Sequence, residues 1–211
     1  MIYRREGKKR KLSKHRMLIL CEGKTERFYL QGLKKTLPRQ VQRNIDLDII
    51  TAKESEPEKA LIELNNKIKK AKREKYAYTD KYLVFDDDNR NLTKVFKELA
   101  KNNINYVYNS ISIEFWFLLH YKNTTKQYTN ANEVIKELEK DFGTYSKTDP
   151  EFWNKLSSRY NKAKNKAKNI RKQHSDNGTL IQNSKPFSNM DELVDKINEL
   201  QNNYKLRMKI G

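Results

Sequence analysis

Short apolar runs and longer amphipathic segments alternate along the first half of the chain. Four of the apolar runs have the length and composition of strands: residues 17–21, 45–50, 82–85 and 104–108. Three segments between them repeat apolar residues every three or four positions, as helices do: 25–37, 57–75 and 92–101. This alternation of strand and helix favours a parallel sheet with helices on both faces, so we predict an α/β core.

The second half of the chain follows helical spacing. Four helices are predicted there: residues 113–121, 131–142, 149–174 and 189–204. The first of them is apolar on nearly every side, so we expect it to be buried against the sheet. These patterns divide the chain into a basic arm (1–16), an α/β core (17–121) and a helical, basic elaboration packed on that core (122–211).

Charge adds a candidate partner to this picture. The 211 residues carry a formal net charge of +18, of which residues 1–16 hold +7 and residues 155–172 hold +8. Two local basic clusters favour binding of nucleic-acid phosphates, with little sequence specificity. Eight side chains are the candidate contacts: Lys8, Lys9, Arg10, Lys11, Lys162, Lys164, Lys166 and Lys168. A solvated helix surface is the alternative interpretation of the second cluster.

Several classes of protein are excluded by composition. The single cysteine, Cys21, rules out an internal disulfide framework and a cysteine-based zinc cluster. The longest apolar run, residues 115–119, is too short to span a bilayer, and the basic N-terminus lacks the apolar stretch of a signal peptide. We therefore expect a cytoplasmic protein with no membrane partner.

Four acidic residues follow two of the predicted strands. Glu22 comes directly after the first strand and Glu26 one helical turn later, while Asp86 and Asp88 follow the third strand. Ligands of parallel sheets bind at the carboxyl ends of the strands, so the four carboxylates converge if these strands are neighbours. Clustered carboxylates need a cation, and oxygen ligands suit Mg²⁺ or Mn²⁺. In a basic protein, such a site favours metal-assisted phosphodiester chemistry.

Each acidic segment also has another interpretation. Glu22 and Asp86–Asp88 could simply belong to turns that end strands. The sequence Gly23-Lys24-Thr25 resembles the end of a P-loop, but that motif requires glycine where this chain has Leu18. Asp-x-Asp after a strand also opens haloacid-dehalogenase-type phosphatases, which usually carry Thr or Val where this chain has Arg90.

Four segments, in this order, resemble the RloB-like family: CEGKTERFY at 21–29, VFDDDN at 84–89, SISIEFWFLLHY at 110–121 and TYSK at 144–147. A basic helix follows the last of them. The family comprises bacterial phage-defence proteins, often encoded beside an ATPase, with a core that resembles the Toprim fold. The resemblance implies a Toprim-like, Rossmann-like fold in which Glu22, Asp86 and Asp88 bind Mg²⁺. The related overcoming-lysogenization-type nucleases also use the residue that corresponds to Glu26.

The resemblance further highlights Glu114, His120, Tyr145 and Lys147. Glu114 opens an apolar helix, where it either interacts with the positive helix end or completes the metal site. Lys147 is either a group that stabilises transition-state charge or a surface lysine. His120 has the setting of a packed or capping histidine. The chain departs from the usual family pattern at 111–113, where Ile-Ser-Ile replaces a segment containing Asn-Pro.

The leading hypothesis is a Mg²⁺-dependent Toprim-type nuclease that acts as an effector of antiphage defence. Glu22, Glu114 and Lys147 are its candidate catalytic residues. The alternative is a non-catalytic binding or sensing subunit that recruits nucleic acid to a partner ATPase. A nucleotidyl transferase or primase-like activity ranks third. The sequence does not distinguish DNA from RNA as substrate, and it leaves the oligomeric state open, a homodimer included.

Overall fold

A computed structural model describes residues 14–149 and 151–210, with side chains described as far as residue 206. The predicted basic arm falls mostly outside this range, so its candidate contacts Lys8, Lys9, Arg10 and Lys11 lie outside the described residues. The last two residues of the arm, His15 and Arg16, belong to the first strand.

Five strands form one sheet within the described residues: β1 (His15–Cys21), β2 (Ile45–Thr51), β3 (Asp80–Asp86), β4 (Asn105–Ser110) and β5 (Phe187–Ser188). Their order is β2-β1-β3-β4-β5. The first four strands are parallel, and β5 pairs antiparallel with β4. The predicted α/β fold is confirmed, with a Rossmann-like core. The two-residue strand β5 was not predicted, because it is too short to show a period.

The described helices begin and end as follows: α1 (Lys24–Thr36), α2 (Arg39–Asn44), α3 (Pro57–Arg73), α4 (Thr93–Lys101), α5 (Ile113–Leu119), α6 (Ala131–Phe142), α7 (Phe152–Ser157), α8 (Tyr160–Asp176) and α9 (Met190–Ile210), with a short 3₁₀ helix at Ile181–Asn183. None of these helices is both long enough and apolar enough to cross a bilayer.

The sheet has an apolar core on each face. In β1, Met17, Ile19 and Cys21 point to one face, where α1, α5, α7, α8 and α9 pack. Leu18 and Leu20 point to the other face, against α3 and α4. Successive side chains of a strand alternate between faces, so a strand buried on both faces must be apolar at every position. This explains the unbroken apolar run of β1.

The basic segment is divided differently from the prediction. The prediction of a single helix over 149–174 is wrong, because the helix is interrupted at Ser158 and Arg159, which separate α7 from α8. The two helices pack on different partners. Phe152, Trp153 and Leu156 of α7 are buried near α1, whereas α8 packs on α5 and α9. Pro150, within the predicted helix, lies outside the described residues.

The C-terminal half shares its core with the sheet. Met190, Leu193, Val194 and Ile197 of α9 belong to the same buried cluster as the residues of β1. The strand β5 extends the sheet itself. The division of the chain at residue 121 stays a prediction, but the two parts are joined by continuous packing.

Candidate active site

A cavity of about 430 Å³ opens where the strand order reverses. The chain runs from β1 outward to β2 and then returns to the other side of β1 as β3. Loops diverge at such a switch point and leave a crevice beside the carboxyl ends of the strands. The condition for convergence of the carboxylates, that the first and third strands are neighbours, is met, since Cys21 lies beside Val84 in the sheet.

Glu22 is held at the end of β1 by the neighbouring strand. Its backbone N–H donates to the Val84 carbonyl at 2.8 Å, and its Oε2 accepts from the Asp86 N–H at 3.2 Å. The residue is buried. Burial raises the pKa of Glu22 to about 7, while the Asp86 N–H and the Arg90 guanidinium oppose this rise.

Glu26 lies in the first turn of α1 and is 4% exposed. Its Oε2 is buried and has no hydrogen-bond partner among the described residues. A Cβ added to Gly23 would stand 2.6 Å from this oxygen, so glycine makes room for the carboxylate. Burial raises the pKa of Glu26 to about 7, and the neighbouring Glu114 and Glu22 carboxylates add to the rise.

Asp86 ends β3 and faces the start of α5. Its Oδ1 accepts from the Asn109 side-chain amide at 3.1 Å, and its Oδ2 accepts from the Ile113 N–H at 3.1 Å. Burial raises its pKa well above the usual range, and Glu26 and Glu114 raise it further. Asp86 lines the same cavity as Glu26 and Glu114.

Glu114 joins the same cavity from the first turn of α5. It is 2% exposed, and its Oε1 accepts a hydrogen bond of 2.6 Å from the Tyr145 hydroxyl. A buried carboxylate requires partners. The phenol supplies one, and orients Glu114 at the cavity wall.

Asp88 is placed differently from the other carboxylates. It is exposed and lies at the rim of the cavity, in a loop where Asp88 and Asn89 both have positive φ, 43° and 61°. Its Oδ2 lies 3.3 Å from Nη2 of Arg90. The inner group of carboxylates thus consists of Glu22, Glu26, Asp86 and Glu114. Asp88 is peripheral. Asp87, between the two predicted ligands, is buried against the Tyr108 hydroxyl.

Two lysines line the cavity beside these acids. Lys147 is exposed, and its segment is tied to α1 by the Thr25 hydroxyl, which donates to the Lys147 carbonyl at 3.1 Å. Lys24, the first residue of α1, was not singled out in the sequence. Both side chains bring positive charge to a cavity lined by carboxylates.

The donor set fits a hard divalent cation in its chemistry. Five carboxylates line one cavity, and an unpartnered Glu26 oxygen is buried among them. In the described part of the chain, no three Asp, Glu, His or Cys residues are grouped closely enough to hold an ion as they stand. Binding of an ion therefore requires changes of side-chain conformation, starting from hydrogen bonds to Arg90, Asn109 and Tyr145.

The predicted basic contacts on α8 are separate from the cavity. Lys164 pairs with Asp195 at 2.8 Å, and Lys166 donates to the Leu119 carbonyl at the end of α5. Lys162 and Lys168 are exposed. Of the described residues that line the cavity, none belongs to α8.

His120 is buried at the end of α5, 1% exposed. Its Nδ1 lies 2.9 Å from the Trp116 carbonyl, to which it donates, and its ring packs edge-on against Trp116. Burial lowers its pKa to about 4. This setting agrees with the interpretation of His120 as a packed histidine.

A sequence model of the family described as RloB-like protein matches residues 17–197. The chain belongs to the RloB-like family. The match covers every carboxylate of the cavity and both of its lysines. Neither the curated proteins nor the solved structures contain a match to this RloB-like chain.

The sequence did not identify Arg90 as a residue of the site. Its position after Asp-x-Asp only argues against a dehalogenase-type phosphatase. In the structure the guanidinium contacts Glu22, Asp88 and the Ser55 carbonyl. The one feature of the sequence that could have indicated the position of Arg90 is Asp88-Asn89. Asp and Asn tolerate positive φ, so this pair can reverse the chain direction and bring the next residue back towards the end of the strand.

Proposed function

We propose that this RloB-like chain is a Mg²⁺- or Mn²⁺-dependent nuclease of the Toprim type that hydrolyses phosphodiester bonds of DNA or RNA. The observation that carries the proposal is the inner group of carboxylates, Glu22, Glu26, Asp86 and Glu114, in one cavity at the switch point of the sheet. We also propose a role as an effector of antiphage defence, which the family resemblance implies.

The carboxylates are costly to the fold without a cation. Burial and mutual repulsion raise the pKa of Glu22 and Glu26 to about 7, so the metal-free protein holds these groups only partly ionised near neutral pH. A cation in the cavity would neutralise the repulsion and keep the carboxylates ionised as ligands. A bound Mg²⁺ would polarise the phosphodiester and activate the attacking water.

The remaining residues of the cavity have defined tasks in this proposal. Tyr145 donates to Glu114 and fixes the orientation of its carboxylate. Lys147 and Lys24 attract the phosphate and offset the charge that develops on it. Asp88 joins the ligands when its loop moves inward from the rim. The exposed Lys162 and Lys168 hold the nucleic-acid backbone outside the cavity.

Replacement of single ligands tests the proposal. Glu22→Gln and Asp86→Asn should each lower the cleavage rate by more than about 100-fold and weaken Mn²⁺ binding, because each removes a charged ligand. Calorimetric titration with Mn²⁺ and cleavage assays on plasmid DNA, single-stranded DNA and tRNA measure the two effects. Asp141→Asn, at an exposed position of α6, is the matched control. Full cleavage by Glu22→Gln would refute the nuclease proposal.

A non-catalytic subunit that brings nucleic acid to a partner ATPase is the second candidate. The observation that favours it is the lack, among the described residues, of three ligand groups already arranged for an ion. This candidate predicts that Glu22→Gln leaves nucleic-acid binding and stimulation of the ATPase unchanged. A wild-type protein that neither binds Mn²⁺ nor cuts any substrate, yet stimulates the ATPase, would establish it.

A further inference from the structure

Arg90 contacts three residues that line the carboxylate cavity. Its Nη1 lies 3.3 Å from Glu22 Oε1 and 3.2 Å from the Ser55 carbonyl, and its Nη2 lies 3.3 Å from Asp88 Oδ2. The Arg90 N–H donates to the Asp87 carbonyl at 2.7 Å, which closes the turn. One guanidinium thereby bridges a carboxylate from the end of β1 and a carboxylate from the loop after β3.

These contacts are loose for a charged pair. Hydrogen bonds between a guanidinium and a carboxylate usually measure about 2.7–2.9 Å. Arg171 and Asp191 show that geometry in the same protein, with two parallel bonds of 2.7 and 2.8 Å to a fully buried carboxylate. Arg90 makes one long bond to each of its acids, and its side chain is 37% exposed. Its contacts are therefore easier to displace than those of Arg171.

The same contacts explain why the carboxylates do not form a ready-made metal site. Glu22 Oε1 contacts Arg90 and its Oε2 accepts from the Asp86 N–H, so both oxygens of Glu22 are already engaged. Asp88 is held at the rim by the same guanidinium. A divalent cation and the guanidinium would compete for the same oxygens.

We propose that Arg90 is an internal counter-ion that a divalent cation must displace from Glu22 and Asp88. This inference rests on the proposed metal-dependent function. Displacement frees Glu22 Oε1 and Asp88 Oδ2 as ligands and releases a guanidinium beside these two residues of the cavity lining. There it can bind the phosphate of a nucleic acid. Cation and nucleic acid therefore bind with positive cooperativity, because each favours the state in which Arg90 has left the carboxylates.

Mn²⁺ titration of the full chain, without nucleic acid, tests the competition. Arg90→Gln should bind Mn²⁺ about fivefold more tightly than the wild type, since the competing charge is gone. Arg90→Lys keeps the charge and should stay within about twofold of the wild type. Thermal unfolding in EDTA shows whether each variant is folded.

Lys147→Gln is the matched control for charge alone. It removes one positive charge from the same cavity, at a residue whose described hydrogen bond is made by its backbone carbonyl. Its Mn²⁺ affinity should rise by less than about twofold. An equal gain for Lys147→Gln and Arg90→Gln would reduce the effect to general electrostatics and overturn the proposal.

A second measurement tests the cooperativity. A single-stranded oligonucleotide with uncleavable phosphorothioate linkages should tighten Mn²⁺ binding to the wild type and have a smaller effect on Arg90→Gln. Unchanged Mn²⁺ affinity in Arg90→Gln, with binding abolished in Glu22→Gln, would overturn the role of Arg90 and leave the metal site intact. If no variant binds Mn²⁺, with or without the oligonucleotide, the proposed function fails together with this inference.

Discussion

Glu26 combines three properties that rarely occur together in a carboxylate without a functional reason. It is 4% exposed, one of its oxygens has no partner among the described residues, and two further carboxylates raise its pKa. A group of this kind costs folding free energy. Residues that cost stability cluster at functional sites, where the gain is made on ligand binding.

The pH dependence of stability should reveal this cost. The pKa of Glu26 is about 7 in the folded protein and 4.5 as the reference value. Stabilisation from the protonated form is therefore complete below pH 4.5 and is lost as the pH rises through 7. The metal-free wild type should lose about 2 kcal/mol more than Glu26→Gln between pH 5 and 8.5.

Urea unfolding in EDTA at these two pH values measures the difference. His120 contributes with the opposite sign, because burial lowers its pKa to about 4, but it is present in both proteins and cancels. Asp141→Asn should retain the wild-type dependence. Identical pH dependence in Glu26→Gln and the wild type would show that Glu26 is not destabilised by its surroundings.

Helix α1 connects the site to the rest of the core. Its first turn carries Glu26, and its middle packs on α7 through Gly32. A Cβ at Gly32 would lie 2.6 Å from the Cβ of Trp153. The two helices approach this closely only because residue 32 has no side chain.

Gly32→Ala should therefore destabilise the protein although alanine favours helix formation. The gain in propensity is about 1 kcal/mol, and the cost of separating α1 from α7 should exceed it, for a net loss of about 1–2 kcal/mol. Urea unfolding measures the change. Lys35→Ala, at an exposed position of the same helix, should change the stability by less than about 0.5 kcal/mol. A stabilised Gly32→Ala would mean that α7 moves away at little cost.

At the scale of the described structure, the carboxylate cavity and the α8 lysines lie in different places. The carboxylates line a cavity at the carboxyl edge of the sheet, whereas α8 contributes no lining residue and its Lys166 contacts the far end of α5. Two of the four predicted α8 contacts also serve the fold: Lys164 pairs with Asp195, and Lys166 binds the last turn of α5. Lys162 and Lys168 remain as the exposed cations of that set.

Lys162→Gln/Lys168→Gln should weaken nucleic-acid binding about five- to tenfold near 0.1 M salt and lower the salt dependence by up to about two counterions. Fluorescence anisotropy with a labelled oligonucleotide at several salt concentrations measures both effects. Lys94→Gln/Lys97→Gln on α4, which packs on the other face of the sheet, is the control of equal charge. Equal losses of affinity in the two double variants would show that nucleic-acid binding depends on net charge alone and not on the positions of Lys162 and Lys168.

The sequence alone determined the alternation of strands and helices. A strand buried on both faces and a helix buried on one face each have a characteristic spacing of apolar residues, and that spacing involves only residues close together in the chain. The sequence also indicated that Glu22, Glu26 and Asp86 would meet if β1 and β3 were neighbours, because the carboxyl ends of parallel strands share one edge. The sequence did not predict the break between α7 and α8, because both segments follow helical spacing and differ only in their packing partners.

Tertiary structure alone decided which acids face one another. Glu114 enters the inner group because α5 starts beside Asp86, and Asp88 leaves it because two residues with positive φ turn the loop outward. The same turn brings Arg90 onto Glu22, which lies 68 residues earlier in the chain. Contacts between such distant residues depend on how loops close and helices pack, and neither leaves a periodic trace in the sequence.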